Sequence, residues 1–386
     1  MDFQFSAEQQ ELIQLVRKIA RERVAPLAHQ IDEREEIPAE LFNTLRDAGL
    51  FGIAVPAEYG GTDMGILGLV LAVEEVSKYC CATGLLLLLT RLPLAAILYG
   101  GTEAQKRKYA TGIAAGTLRG AFCLSEPDAG SDAANIQTRA LRKGDKYVMN
   151  GTKCWISGAA HADFFTVAVK TDPAAGHKGM SVIIVEKGTP GLTVGKKEKK
   201  MGVRGLSVNQ VIFEDCAVPA ENLIGEENQG FKLIMKNLNA VRPVVAARGI
   251  GLAEGALTYW LGYGHERKTF GKPIVEHQGL QWMAADLAVD IEAARLLTYR
   301  AAMLVDQDKA GKESAHILSM AKYKATEVAV RTANDCLQMM GATGYMEDYP
   351  LARYVRDARQ LTIVEGTSQI QKGLIARALI DGDLAW

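Results

Sequence analysis

The texture of the chain changes twice along its length, and no other feature limits the possible folds as tightly. From about Phe5 to Lys108 apolar residues recur at helical spacing, as in Leu12, Val16, Ile19 and Ala20, and Pro38 ahead of AELFNTLRDAGL marks a helix start. The segment AVPAEYGGTDMG (54–65) is turn-rich punctuation between helices. From about Arg119 to Gly230 the segments become short and β-branched: FFTVAVK (164–170), GMSVIIVEKG (179–188) and NQVIFEDCAV (209–218), each bounded by Gly, Pro or Asp. From Phe231 onward the 3.6-residue period returns, most clearly in HQGLQWMAADLAVDIEAARLLTYRAAMLV. Helices, then strands, then helices predict an α+β protein of three parts: an N-terminal helical domain (1–118), a middle β domain (119–229) and a C-terminal helical bundle (230–386).

Several chemistries are disfavoured by what the chain lacks. A net charge of -1 offers no global attraction to nucleic acid or an anionic membrane. The six cysteines (Cys80, Cys81, Cys123, Cys154, Cys216, Cys336) form no CxxC pair, HExxH is absent, and a reduced protein without a metal site is expected. No GxGxxG follows a strand and no GxxxxGK[ST] occurs, so a Rossmann or P-loop nucleotide site is unsupported. The N-terminus enters an amphipathic helix without a signal-peptide pattern, which reads as a cytoplasmic chain. The leucine run at 84–90 is interrupted by Arg91 and Pro93 short of a bilayer span and reads as a buried helix lining something apolar.

Four segments carry chemistry. In FCLSEPDAGSD (122–132), Pro127, Asp128 and Gly130 make a turn whose amides, with the Ser125 and Ser131 hydroxyls, suit an anion or a carbonyl; a plain surface loop explains them as well. In GTKCWIS (151–157), Trp155 suits either a core position or a flat lid over a heterocycle. ERKTFGKPIVEHQ (266–278) offers the planar fork of Arg267 and the ring of Phe270, or else a basic helix end with Gly271 as its stop. In IVEGTSQIQ (363–371), Glu365 stands between an apolar pair and Gly366, just before a helix beginning near Thr367 or Ser368. Apolar neighbours raise a carboxylate towards the range of a base, nearby amides oppose that, and helix capping is the plain alternative. The basic run 195–200 reads most simply as a solvated loop between strands, with partner docking or phosphate contact as the alternative, and Arg91 as either a snorkelling side chain or a charge placed at a pocket.

Taken in order, FCLSEPDAGSD, KCWIS, MGVRGLSVNQVIFEDCAVPAENLIG (201–225), ERKTFGKPIVEHQ, QMMGATGY (338–345) and VEGTSQIQ (364–371) resemble the acyl-CoA dehydrogenase family over essentially the whole chain. The resemblance implies its fold (helical domain, β domain, four-helix bundle), FAD as cofactor, and removal of two hydrogens from an acyl-CoA thioester with electrons passed to an electron-transfer flavoprotein. It implies flavin or thioester contacts for Phe122, Leu124, Ser125 and Ser131, and places Trp155 and Ser157 beside the isoalloxazine. Arg267, Thr269, Phe270, Gln278, Gln338 and Gly341 would reach the FAD of a neighbouring subunit in a homotetramer built as a dimer of dimers, and Thr367 and Gln369 would complete the site. Glu365 matches the family's base in the branch that sets it before Gly-Thr-Ser, and Val241 occupies the other branch's base position. On the substrate side the resemblance points to Ser131, Asn239, Arg242, Gly366 and Arg377.

Departures from the family pattern fall mainly around the acyl pocket. Val364 stands where many relatives carry Tyr, Asn239 where one carries Asp, and Leu206 and Val208 where small polar residues are common. Ala82 falls near the arginine with which glutaryl-CoA enzymes hold a distal carboxylate, leaving Arg91 either to contact a polar or acidic acyl tail or to narrow the cavity for a short, branched or cyclic one. Competing readings are an enoyl-CoA reductase or oxidase on the same scaffold, and a non-catalytic acyl-CoA-binding relative.

Overall fold

The computed structural model of the chain describes residues 4–383. Its first part is helical: α1 (Ala7–Ile19), α2 (Ala28–Arg34), α3 (Ala39–Asp47), α4 (Gly65–Ser77), α5 (Cys81–Leu88), α6 (Leu92–Gly100) and α7 (Glu103–Ala114). Local chemistry sets their ends. Ser6 and Thr102 each accept from the amide three residues on, while Gln9 and Gln105 return the bond to the cap amide, so α1 and α7 both begin in capping boxes. The leucine-rich stretch is two helices rather than one. Thr90 Oγ1 donates to the Leu87 carbonyl at 2.7 Å where α5 ends, and Pro93 takes the first turn of α6, where its missing N–H costs nothing. Both helices are packed inside the protein.

The middle part holds β1 (Gly120–Cys123), β2 (Arg139–Lys143), β3 (Lys146–Ser157), β4 (Phe164–Lys170), β5 (Met180–Glu186), β6 (Leu192–Lys197), β7 (Val208–Pro219) and β8 (Leu223–Ile224). They form a mixed sheet in the order β6-β7-β3-β2-β4-β5-β8, with β1 parallel against β4. β2 and β4 share one register pair, Arg139↔Lys170. The two halves of the sheet enclose a core that includes Met149, Phe165, Val167, Ile183 and Phe213. β4 reads as an unbroken apolar run because both its faces are covered: Phe165 and Val167 enter that core, while Phe164 and Ala168 pack with Leu94, Ile97 and Tyr109 of α6 and α7. The basic run 195–200 departs from the expected solvated loop. Residues up to Lys197 belong to β6, and Lys200 turns inward to donate to the carbonyls of Val203 and Leu206 at 2.6 and 2.7 Å.

The last part comprises α8 (Gly230–Glu266), a hairpin of β9 (Lys268–Thr269) and β10 (Lys272–Pro273), then α9 (Gln278–Asp306), α10 (Ala315–Met340), α11 (Ala342–Tyr345), α12 (Pro350–Leu361) and α13 (Ser368–Ile380). Pro243 lies inside α8 without ending it, because burial of the helix from Asn239 to Ala253 outweighs the local penalty of about 3 kcal/mol. Gly251 and Gly255 bring α8 onto α4: a Cβ there would lie 2.2 Å from the Glu74 carbonyl oxygen and 2.0 Å from that of Lys78. Gly271 is not a helix stop. It shares with Phe270 the two-residue hairpin turn, at φ 82 and 51, the positive values that such a turn requires.

Candidate active site

Glu365 occupies the turn between α12 and α13 at φ 53, a left-handed conformation uncommon for a glutamate, and Gly366 follows at φ 95. Such backbone persists only where its surroundings hold it. Here Lys322 Nζ donates to the Gly366 carbonyl at 2.8 Å, Gln371 Nε2 donates to the Gly366 and Glu365 carbonyls at 3.1 and 3.3 Å, and the Ser368 amide donates to the Thr362 carbonyl at 3.0 Å. Helix capping falls to Thr367, whose side chain accepts from the Ile370 amide at 3.3 Å. Glu365 Oε2 is sealed from solvent, and no donor in the described chain reaches it. Burial pushes the carboxyl up to about 7, against the opposing pull of Arg248, Lys322 and Arg242. The opposition thus comes from buried cations, whereas the sequence had suggested helix amides.

Those cations come from two helices. On α8, Arg242 Nη1 donates to Asn239 Oδ1 at 2.6 Å and Ser319 Oγ at 3.2 Å, and Asn239 Nδ2 donates to the Ala310 carbonyl at 2.8 Å. Burial lowers Arg242 to about 10, with Glu365 pulling the other way. Lys322 of α10 is fully enclosed, and burial lowers it to about 8, again against Glu365. Arg248 of α8 is also fully enclosed; its Nη2 donates to Gln360 Oε1 at 2.9 Å and to Cys81 Sγ at 3.4 Å. Arg248 and Lys322 escaped the sequence reading. The signal available was a charge set among buried positions of an apolar helix face, between Val245 and Leu252 in one case and between Leu318 and Ala325 in the other.

The β domain contributes a second, aromatic element. Between Lys153↔Val211 and Ile156↔Asn209 the pairing of β3 with β7 slips by one residue, a bulge at Cys154-Trp155. Trp155 takes φ 58 there and its indole is 60% exposed, which excludes the core reading. The Cys154 amide donates to the Ser125 carbonyl at 2.9 Å, tying the bulge to the loop after β1. Beneath them is an ion pair that the sequence reading did not foresee: Lys153 Nζ donates to Glu126 Oε1 at 2.7 Å and to the Leu124 carbonyl at 3.1 Å, while Glu126 also accepts from the amides of Gln137 and Thr138. Phe122, Leu124, Ser125, Trp155 and Ser157 therefore belong to one braced region, with Ser131 exposed further along the loop.

The remaining candidates are not gathered at Glu365. Arg267, Phe270 and Gln278 are exposed at the corner between α8 and α9, with Phe270 97% exposed and Thr269 Oγ1 3.0 Å from His277 Nε2. Gln338 is exposed near the end of α10, and Gly341 follows it at φ 63. Gln369 is exposed in the first turn of α13, and Arg377 is exposed nine residues on from Ser368, roughly 14 Å of helix rise. Arg91 is buried against Tyr99, donating to its hydroxyl at 3.2 Å, and is not among the charges acting on Glu365.

The chain matches the acyl-CoA dehydrogenase N-terminal domain over residues 6–117, the middle domain over 121–216 and the C-terminal domain over 228–380. It is 45% identical over 382 residues to the acryloyl-CoA reductase (NADH) of Anaerotignum propionicum, covering 98% of this chain and 96% of that one. Butyryl-CoA dehydrogenase from Megasphaera elsdenii superposes with a TM-score of 0.95 at 38% identity, over 98% of this chain and 100% of that one. A chain in the structure of the electron transferring flavoprotein of Acidaminococcus fermentans does so with a TM-score of 0.95 at 43% identity, with the same coverage. A buried carboxylate ahead of Gly-Thr-Ser, a bared indole on a β-bulge and matches running through all three parts lead to one conclusion: the protein belongs to the acyl-CoA dehydrogenase family of FAD-dependent oxidoreductases.

Proposed function

We propose that the protein carries out the α,β-dehydrogenation of an acyl-CoA thioester to the 2-enoyl-CoA, with Glu365 as the base. The carrying observation is a carboxyl raised to about 7, its Oε2 sealed from solvent and without a hydrogen-bond partner, with three buried cations acting on it. Such a group is ionised often enough near neutral pH to take an α-proton, and its dry surroundings strengthen its basicity. The residues present fit FAD: the bulge turns the Trp155 indole outward as a flat wall beside the Leu124–Ser125 loop, and a hollow of about 210 Å³ adjoins it between Pro127, Glu198 and Gln210. Phe122, Leu124, Ser125, Trp155, Ser157, Thr367 and Gln369 would hold it from one subunit, and Arg267, Thr269, Phe270, Gln278, Gln338 and Gly341 from a neighbour. When bound, the cofactor accepts the β-hydrogen as hydride. Glu365 holds the departing α-proton, and the left-handed turn, fixed by Lys322 and Gln371, keeps its carboxylate in place. Gly366, Asn239, Arg242, Ser131 and Arg377 are assigned to the thioester and CoA.

A homotetramer is supported by α9, where Trp282, Val289, Leu296 and Met303 are exposed at seven-residue intervals as an apolar stripe. The likeness to a chain in an electron transferring flavoprotein structure supports such a flavoprotein as electron partner. Among the described residues all six cysteines are free and buried, which fits a reducing compartment such as the cytoplasm. Reduction of an enoyl-CoA by the same residues is the second reading, favoured by the 45% identity to an acryloyl-CoA reductase. Purified protein with FAD, mixed anaerobically with saturated acyl-CoAs, is expected to bleach; bleaching by none of them, alongside NADH-dependent consumption of an enoyl-CoA, would reverse the assignment.

A further inference from the structure

Arg248 presents a charge problem that the reaction itself does not solve. It lies on the same face of α8 as Val241 and Val245, at i+7 and i+3, and all three are completely buried. Opposite it α5 leaves room through Gly84, where a Cβ would come within 3.3 Å of Arg248 Cγ and 2.1 Å of Ser77 Oγ. Its Nη2 is bonded to neutral groups, Gln360 and Cys81, while Nε and Nη1 are sealed from water without a partner. Among the described residues no carboxylate lies within ion-pair distance of it. An enclosed guanidinium with unfilled N–H groups costs several kcal/mol.

The surroundings deepen the imbalance. Arg248, Arg242 and Lys322 all act on Glu365, and Glu327 acts on Lys322 as well, so the three cations face two carboxylates and the site stays net positive even with both ionised. Lys322 donates to the Gly366 carbonyl, and Arg242 to Asn239 and Ser319. Among the described residues, no acceptor fills the Nε and Nη1 groups of Arg248. Arg91, the sequence-based candidate, also has buried Nε and Nη1 groups without partners, but it lies over Tyr99 and acts on Asp306, and it is not among the charges acting on Glu365.

We propose that Arg248 recognises the far end of the acyl group, and that the substrate is the CoA thioester of a short dicarboxylic acid whose free carboxylate accepts from its unfilled N–H groups. This rests on the acyl-CoA dehydrogenase reading of the Glu365 site.

The test compares holoenzyme on glutaryl-CoA and adipyl-CoA with butyryl-CoA and hexanoyl-CoA, following flavin bleaching and turnover with an artificial acceptor. The parent is expected to favour the diacid thioesters at least tenfold in kcat/KM. Arg248→Gln should reverse the preference, and Arg248→Lys should retain part of it. Calorimetric binding of the same four thioesters to Glu365→Gln, with and without Arg248→Gln, reads recognition apart from turnover. Should Arg248→Gln fail to fold, the parent's own preference and the Arg248→Lys variant still decide the matter. Neutral thioesters preferred by the parent, or a diacid preference unchanged in Arg248→Gln, would overturn the assignment and leave the dehydrogenase reading intact. Bleaching by none of the four, with no binding to Glu365→Gln, would overturn both.

Discussion

Replacing Glu365 by glutamine removes a titrating proton from an enclosed site while keeping its shape, so the variant reports the environment of the base directly. The ordinary carboxyl value is 4.5 and burial raises it to about 7 in the folded chain. Between these values the folded state binds the proton that the unfolded state has released. The stabilising contribution is therefore complete below 4.5 and is lost as pH rises through 7. At 1.36 kcal/mol per pH unit, the stability lost through this proton is about 1.4 kcal/mol at pH 5.5 and about 3 kcal/mol at pH 8. Glutamine stays neutral, so Glu365→Gln should exceed the parent in stability by these amounts, measured as urea denaturation of the two FAD-loaded proteins at equal concentration. Its flavin bleaching by substrate should fall about 10²- to 10⁴-fold, and the parent's kcat/KM should rise with pH through about 7. A stability difference that does not change between pH 5.5 and 8 would refute the raised carboxyl, and bleaching at the parent's rate would remove Glu365 from the role of base.

Two further perturbations probe the rest of the architecture. Lys153→Met leaves Glu126 buried without its cation and unties the Leu124 carbonyl, so denaturation should show a loss of about 3–5 kcal/mol, with weaker FAD retention on gel filtration; an unaffected cofactor would confine the pair to stability. Val289→Glu places a charge in the middle of the α9 stripe and is expected to lower the mass found by sedimentation velocity without changing the helical content seen by circular dichroism; an unchanged mass would show that another face joins the subunits.

Much of the organisation is legible in residue order. β4 and β5 fall where FFTVAVK and GMSVIIVEKG predict them, since a strand covered on both faces needs an unbroken apolar run. Thr367 marks a helix start because its side chain caps a near neighbour in the chain, and Pro38 because its ring fixes the backbone angle at the entry to α3. The six ordered segments, Glu365 among them, likewise depend on local spacing, and they were enough to indicate the family.

The environment of those residues was decided by tertiary packing. Whether Trp155 lies in the core or on a flat outer wall turns on a one-residue slip between β3 and β7, which requires the partner strand's register. Helix periodicity marks Arg248 and Lys322 as charges on apolar faces but cannot say what they meet. Only the crossing of α8 and α10 beside the α12–α13 turn sets both against Glu365, and only burial there turns three ordinary side chains into a dry, over-positive pocket. Electrostatic energy depends on distance and on exclusion of water, and neither is a property of sequence neighbours.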